Sequence, residues 1–171
     1  DAVVWQCARG KDISDALAPY ADLVRERTGL PLSPYFPAAK YAWLLRHTKV
    51  KGRVHLGTVD SYLVWKLTGG FYTDYSNASR TQLFDLHTLQ WDEELCRLFG
   101  VPVEALPEVK DSDGVFGYTD LGGILPEQVP VCGVLGDSHA ALFAEGCLAA
   151  GQLKVTYGTG STVMMNVGEK F

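Results

Sequence analysis

Apolar residues recur every three or four positions in four segments of the chain, the spacing that lines up apolar side chains on one face of a helix. The predicted helices are residues 11–28, a segment that begins at Pro37, residues 58–67 and residues 91–99. Pro19 kinks or splits the first helix, because proline removes a backbone N–H and clashes with the preceding turn. Glycines stand where three of these helices are expected to end, at positions 29, 69 and 100.

The helix that begins at Pro37 is predicted to be amphipathic. Proline is well suited to the first helical position, since the N–H it lacks would have no partner there. Ala38, Tyr41, Ala42 and Leu45 fall on the apolar face. We expect the opposite face, with Lys40 and Arg46, to be solvent-exposed.

The last third of the chain has a different pattern. Residues 101–128 are rich in Pro, Gly and Asp, which predicts a loop with short extended pieces. An apolar strand should then start at Val129 and end at Gly136-Asp137, before an Ala-rich helix. Further on, two β-branched runs flank Gly158-Thr159-Gly160, as in a hairpin whose turn could present N–H groups to phosphate oxygens.

Composition limits the kind of protein this can be. The chain has 171 residues, 47% of them hydrophobic and 20% charged, which is typical of a globular domain. A net charge of −5 argues against a nucleic acid or an anionic membrane as partner. The four cysteines are widely spaced, so we interpret them as reduced thiols of a cytoplasmic protein. The His and Asp residues show no metal-ligand spacing, and no protein metal site is predicted.

Asp137 is the main catalytic candidate. A carboxylate at the carboxyl edge of a sheet lies where open α/β folds bind ligands, and it could accept a proton from an attacking alcohol. An Asp in this position could equally cap the helix that follows. The pattern by itself leaves both interpretations open.

Several longer motifs resemble one family in their order and spacing. They are Trp5-Gln-Cys7, residues 35–47, residues 57–69, residues 73–80, residues 106–109, Gly136-Asp137 and Tyr157-Gly-Thr-Gly160. Together they resemble the FGGY carbohydrate kinases, and most of all the glycerol kinase branch. This resemblance implies an α/β fold of two actin-like, RNase H-like lobes around a cleft.

The resemblance also implies a division of the chain and a role for its residues. Residues 1–154 would be the middle and end of the sugar-binding lobe, and residues 155–171 the opening hairpin of the nucleotide-binding lobe. The chain would therefore be an excerpt, inactive alone, with much of the active site contributed by other segments. ATP with Mg²⁺ would be the phosphate donor, and Mg²⁺ would be held largely by those other segments.

By the same resemblance, Asp137 would be the general base and Gly158, Thr159 and Gly160 would contact phosphate. Substrate contacts would come from Trp5, Tyr35, Asp137, Ser138 and Thr162. An aromatic face suits the C–H side of a polyol, and the phenol of Tyr35 can bond a hydroxyl. Core packing is the alternative role for Trp5 and Tyr35, and a simple hairpin is the alternative for the glycine-rich turn. Arg80 is expected to hold the lobe together.

Three departures from the glycerol kinase pattern bear on the acceptor. Ala8 and Ser138 replace an Arg and a Gln, and Thr162 replaces a bulky Phe. The stretch 48–55 is also shorter than the usual connector. A longer polyol or a ketose such as xylulose is therefore an alternative to glycerol as substrate. The intact protein could also form a homo-oligomer.

Two other functions remain as alternatives. Actin-like and chaperone ATPases use the same fold to hydrolyse ATP, but they attack with water and need no sugar-binding wall. A degenerate homologue could instead bind a sugar without catalysis, although Asp137 and Thr159 are retained.

Overall fold

The computed structural model describes residues 2–49 and 52–169, and it divides the chain into two units, Asp1–Val134 and Leu135–Phe171. The helices of the first unit are α1 (Lys11–Ala16), α2 (Ala21–Thr28), α3 (Pro37–His47), α4 (Val59–Thr68), α5 (Tyr75–Ala78) and α6 (Glu93–Phe99). Its strands are β1 (Tyr72–Asp74), β2 (Phe84–Asp85), β3 (Gln90–Trp91), β4 (Glu108–Lys110), β5 (Gly117–Thr119) and β6 (Val129–Val131). None of the helices in these described ranges is long and apolar enough to cross a membrane.

The four helices predicted from the apolar spacing are confirmed. The first is split as expected, because a 3₁₀ turn at Ala18–Tyr20 around Pro19 separates α1 from α2. Helices α2, α4 and α6 end at glycines with φ of 67°, 78° and 72°, the left-handed conformation that a side chain disfavours. The local stop signals therefore define these helix ends.

The prediction that Lys40 is solvent-exposed is wrong. Ala38 and Ala39 are fully buried, and Lys40 beside them is only 5% exposed. Its ammonium group donates hydrogen bonds to the backbone oxygens of Pro34 and Tyr35, so the charge is satisfied inside the unit. Helical periodicity could not anticipate a turn that folds back over the polar face.

The strands of the first unit form three two-stranded sheets. β1 pairs in parallel with β4, while β2 pairs antiparallel with β3 and β5 antiparallel with β6. The predicted α/β class is confirmed, and the structure shows both parallel and antiparallel pairing. The strand predicted to run from Val129 to Gly136 ends earlier, at Val131, because the chain then leaves β5 and the Val134 N–H bonds to the Ser112 carbonyl at 2.9 Å.

The core of the first unit lies where α1, α3 and α6 meet. Leu95, Cys96 and Phe99 of α6 are at most 1% exposed. Gly10, which precedes α1, lies so close to α3 that a Cβ there would be 2.8 Å from the Cβ of Ala39 and 2.9 Å from its carbonyl carbon. Glycine is therefore required for this close approach.

The second unit consists of α7 (Asp137–Ala144) and a hairpin of β7 (Leu153–Tyr157) and β8 (Ser161–Met165). The hairpin around the glycine-rich turn is confirmed, with Tyr157 opposite Ser161 and Thr156 opposite Thr162. Helix α7 packs against both strands. The predicted lobe boundary between residues 154 and 155 stays a prediction. Val50 and Lys51 of the short connector, and Lys170 and Phe171 of the last predicted segment, lie outside the described residues.

Candidate functional site

An aromatic corner in the first unit brings together two residues predicted to contact substrate. We use this name for Trp5, Tyr35, Phe36 and Arg80. The rings of Trp5 and Tyr35 meet edge to face with centroids 5.6 Å apart, and Tyr35 meets Phe36 in the same way at 5.1 Å. The Arg80 guanidinium lies over the Phe36 ring at 5.2 Å. These four side chains form one contiguous cluster.

Trp5 and Tyr35 are not core residues. They are 54% and 50% exposed, respectively, whereas Phe36 next to them is 5% exposed. An edge-to-face contact covers only one face of one of the two rings. The core-packing alternative weighed from the sequence is therefore not supported for either residue.

The turn that carries Tyr35 is shaped by two prolines and two side chains. Pro34 and Pro37 restrict the backbone, and Phe36 has the extended conformation expected before proline, with φ −80° and ψ 159°. The Tyr35 N–H donates to the Ser33 hydroxyl at 3.2 Å, and the Tyr35 carbonyl accepts from Lys40 at 2.6 Å. Both sides of the Tyr35 backbone are thus held by side chains.

Asp137 occupies the first turn of α7 in the second unit. The N-cap position belongs to Gly136, and no side chain caps the helix there. Asp137 is exposed, and its carboxylate accepts a hydrogen bond from the Ser138 N–H at 2.6 Å. A helix N-terminus favours negative charge. Asp137 is therefore an accessible carboxylate. It is not the N-cap of α7, which was the alternative role considered from the sequence.

The turn of the hairpin is also open to solvent. Gly158, Thr159 and Gly160 are all exposed, and so is Thr162, two residues beyond the turn. A Cβ at Gly160 would meet nothing within 4 Å, so the backbone can be approached closely by a ligand. The geometry is compatible with a phosphate-binding turn that offers backbone N–H groups and the Thr159 hydroxyl.

Two further carboxylates have structural roles. Asp74 is fully buried and caps α5, accepting from the backbone N–H groups of Ser76 and Asn77. Burial alone would raise the pKa of Asp74, but hydrogen bonds from Ser76, Ser112 and Asn77 outweigh it and lower the pKa. Asp60 accepts from the hydroxyls of Thr58 and Thr73, so it organises side chains and not a helix end.

Metal-binding chemistry is not built into the described part of the chain. Within residues 2–49 and 52–169, no group of three or more His, Cys, Asp or Glu side chains could hold a metal ion. The four cysteines are free thiols.

Two open clefts on the first unit lie apart from the predicted site residues. The larger, of about 770 Å³, is between the end of α4 and the segment 118–128, and its lining includes Lys66, Tyr118 and Ile124. The smaller, of about 480 Å³, lies over Phe71 and Trp91. Sequence reasoning did not single out either cleft, because their linings come from separate segments without a shared motif.

Comparison with known proteins identifies the family. Residues 1–144 match the N-terminal domain of the FGGY family of carbohydrate kinases. Glycerol kinase 1 of Thermotoga maritima is 50% identical over 180 residues, which covers 99% of this chain and 36% of the relative. Glycerol kinase of Fusobacterium nucleatum is 45% identical over 182 residues, covering 100% of this chain and 37% of the relative.

Solved structures agree with the sequence relatives. The crystal structure of Plasmodium falciparum glycerol kinase with ADP superposes with a TM-score of 0.90 at 32% identity, covering 99% of this chain and 36% of that one. Xylulose kinase from Rhodospirillum rubrum gives a TM-score of 0.81 at 23% identity, covering 91% and 34%. The latter supports the fold alone.

The chain spans just over a third of the length of the curated relatives it matches. The likeness to the glycerol kinase branch, predicted from the ordered motifs, is confirmed at nearly full coverage of the chain. The chain belongs to the FGGY family of carbohydrate kinases.

Proposed function

We propose that the protein carrying this chain transfers the γ-phosphate of ATP to a hydroxyl of a small polyol or sugar. The observation that supports this most strongly is the match of residues 1–144 to the N-terminal domain of the FGGY carbohydrate kinases. The acceptor is glycerol, a longer polyol or a ketose such as xylulose. The domains beyond this chain would complete the active site, so the chain alone is expected to be inactive.

Asp137 is the general base in this proposal. The acceptor hydroxyl has a pKa far above 7, so its proton must leave as its oxygen attacks the γ-phosphorus. The Asp137 carboxylate takes that proton, a new O–P bond forms, and the bond to the ADP oxygen breaks. The exposed position of Asp137 supports this role, because an accessible carboxylate can approach a bound alcohol.

The exposed hairpin turn would contact the phosphates of ATP. Gly158 and Gly160 permit close backbone approach, and the Thr159 hydroxyl adds a donor. Mg²⁺ would arrive bound to ATP and neutralise phosphate charge.

The acceptor would be held by Trp5, Tyr35, Ser138 and Thr162. The exposed rings of the aromatic corner support this, since one ring can cover the C–H side of a polyol while the Tyr35 hydroxyl bonds to it. The hydroxyl-bearing Thr162 in place of a large aromatic leaves room for a longer acceptor.

We also propose that the lobe boundary lies between residues 154 and 155 and that the protein is cytoplasmic.

The test is ATP-dependent ADP release by the intact protein with glycerol, erythritol, xylitol, ribulose and xylulose. Asp137→Asn should lower turnover about 10²–10⁴-fold while acceptor binding changes little. Asp113→Asn is the matched control, because Asp113 is also an exposed carboxylate but lies in a loop. Near-normal turnover of Asp137→Asn would overturn the base assignment, and acceptor-independent ADP release would favour an ATPase. Acceptor binding without any release would indicate a non-catalytic homologue.

A further inference from the structure

Lys40 is a buried cation that the proposed chemistry does not use. It is 5% exposed, and burial lowers its pKa below the ordinary value of a lysine. In the part of the chain that the structure describes, no carboxylate forms an ion pair with it. A buried ammonium group costs free energy unless its donors are used, so the contacts of Lys40 should explain its presence.

Those contacts are with the turn that carries Tyr35. The Lys40 Nζ donates to the carbonyl oxygens of Pro34 at 2.5 Å and Tyr35 at 2.6 Å. Hydrogen bonds from a charged donor are shorter and stronger than neutral ones. Because two consecutive carbonyls converge on one ammonium group, the backbone of this turn is fixed against α3.

The Tyr35 side chain is displayed by this arrangement. While its carbonyl points inward to Lys40, its ring is 50% exposed and contacts Trp5 and Phe36. The buried cation thus holds the backbone of the residue whose ring meets Trp5.

The helix that carries Lys40 is itself rigidly placed. Ala38 and Ala39 are fully buried, and Ala39 packs on Gly10. The Ala38 N–H donates to the Thr81 carbonyl at 3.0 Å. The core therefore fixes the position of Lys40, and the hydrogen bonds of its ammonium group hold the turn at a fixed distance from the core.

We propose that Lys40 is a positioning residue for acceptor specificity, which holds Tyr35 in the orientation that recognises a hydroxyl of the substrate. The proposal rests on the kinase function proposed above. It assigns Lys40 no contact with substrate, and its effect is confined to the acceptor and does not extend to ATP.

The test uses the intact protein with Lys40→Met, which keeps the apolar stem and removes the donors, and Lys40→Arg, which restores charged donors. Lys40→Met should raise the KM for the acceptor about tenfold or more, with the KM for ATP unchanged within about twofold, because misplacing a binding group by about 1 Å is costly. Lys40→Arg should recover part of the loss. Lys11→Met is the matched control, because Lys11 is an exposed lysine paired with Asp15.

A purely structural role predicts a different result. Lys40→Met would then lower the melting temperature without a selective rise in the acceptor KM, or both KM values would rise together, and the proposal would be wrong. Tyr35→Ala is measured in parallel: if it leaves the acceptor KM unchanged, the assigned substrate surface fails and not only the role of Lys40.

A second measurement does not depend on activity. Hydrogen–deuterium exchange of the amides of residues 32–36 should be at least about fivefold faster in Lys40→Met than in wild type, because the turn opens more often once its anchor is lost. Lys40→Arg and Lys11→Met should show near-wild-type exchange. Unchanged exchange in Lys40→Met would overturn the proposal. This measurement tests the role of Lys40 even if the kinase assay identifies no acceptor.

Discussion

Asp92 joins two helices of the first unit, and its replacement tests how much each of its oxygens contributes to stability. Its Oδ1 caps α6 by accepting from the backbone N–H groups of Glu94 at 2.8 Å and Leu95 at 2.9 Å. Its Oδ2 accepts a hydrogen bond from Arg27, near the end of α2, at 2.6 Å. Because the Asp92 side chain is only 4% exposed, water cannot readily replace either partner.

Two substitutions separate these contributions. Asp92→Asn keeps the oxygen that caps α6 but places an N–H₂ group against the Arg27 guanidinium, so it loses one charge-assisted hydrogen bond. We expect this to lower the free energy of unfolding by about 1.5–3 kcal/mol. Asp92→Ala also removes the cap, which adds about 1 kcal/mol, for a total of about 2.5–4 kcal/mol.

The assay is urea unfolding followed by tryptophan fluorescence, for which Trp91 is a neighbouring reporter whose indole N–H bonds to the Pro107 carbonyl at 2.8 Å. Arg27→Met should cost at least as much as Asp92→Asn, since it breaks the same bond and also the hydrogen bond from Arg27 to Glu94 at 2.8 Å. Equal losses for Asp92→Asn and Asp92→Ala would refute the assignment of the cap to Oδ1. Losses below about 0.5 kcal/mol for both would refute the whole argument.

The same pair predicts a pH dependence. Burial alone would raise the pKa of Asp92, but hydrogen bonds from Arg27 and from the α6 backbone outweigh it and lower the pKa. A carboxyl with a lowered pKa stabilises the fold fully above its unfolded value of about 3.9, and this stabilisation is lost as pH falls through the folded pKa. The stability difference between wild type and Asp92→Asn should therefore be constant from pH 7 to about 5 and shrink below about pH 4.

Three further predictions concern packing, thiol reactivity and the acceptor. Gly10→Ala should destabilise the first unit by about 1–3 kcal/mol, measured by urea unfolding, because its Cβ would lie 2.8 Å from that of Ala39. Exposed Cys132 should react rapidly with iodoacetamide, while buried Cys96, whose pKa burial raises to about 12, should be modified only on unfolding, as followed by mass spectrometry. In the intact protein, Thr162→Phe should raise the ratio of kcat/KM for glycerol over that for xylitol about tenfold, and an unchanged ratio would remove Thr162 from the acceptor site.

Local signals in the sequence predicted the helices well. Gly29, Gly69 and Gly100 stop three helices because the left-handed conformation they adopt depends only on the residue itself. The Pro19 break and the hairpin around Thr159 were predictable for the same reason.

Features that depend on distant residues were not predictable. Helical periodicity predicts an exposed Lys40, because the partners that bury it lie in a turn outside α3. The apolar run predicts too long a strand at Val129, because its partner β5 is only three residues long. The contact between Trp5 and Tyr35 joins segments thirty positions apart. Only the family resemblance placed these two residues in one site, and no periodicity could have done so.

The pairing of β1 with β4 has a consequence for how the chain folds during synthesis. Tyr72 pairs with Glu108, so 36 residues must be made after Tyr72 before its partner exists. At about 5–20 residues per second, β1 therefore waits about 2–7 seconds on the ribosome without its strand partner. Helix α4, which contacts β1 and is made just before it, can cover the strand during that interval. Three residues join β7 to β8, so this hairpin can close within microseconds of its synthesis. The first unit therefore depends on slow, non-local strand pairing, whereas the second unit depends on fast, local pairing.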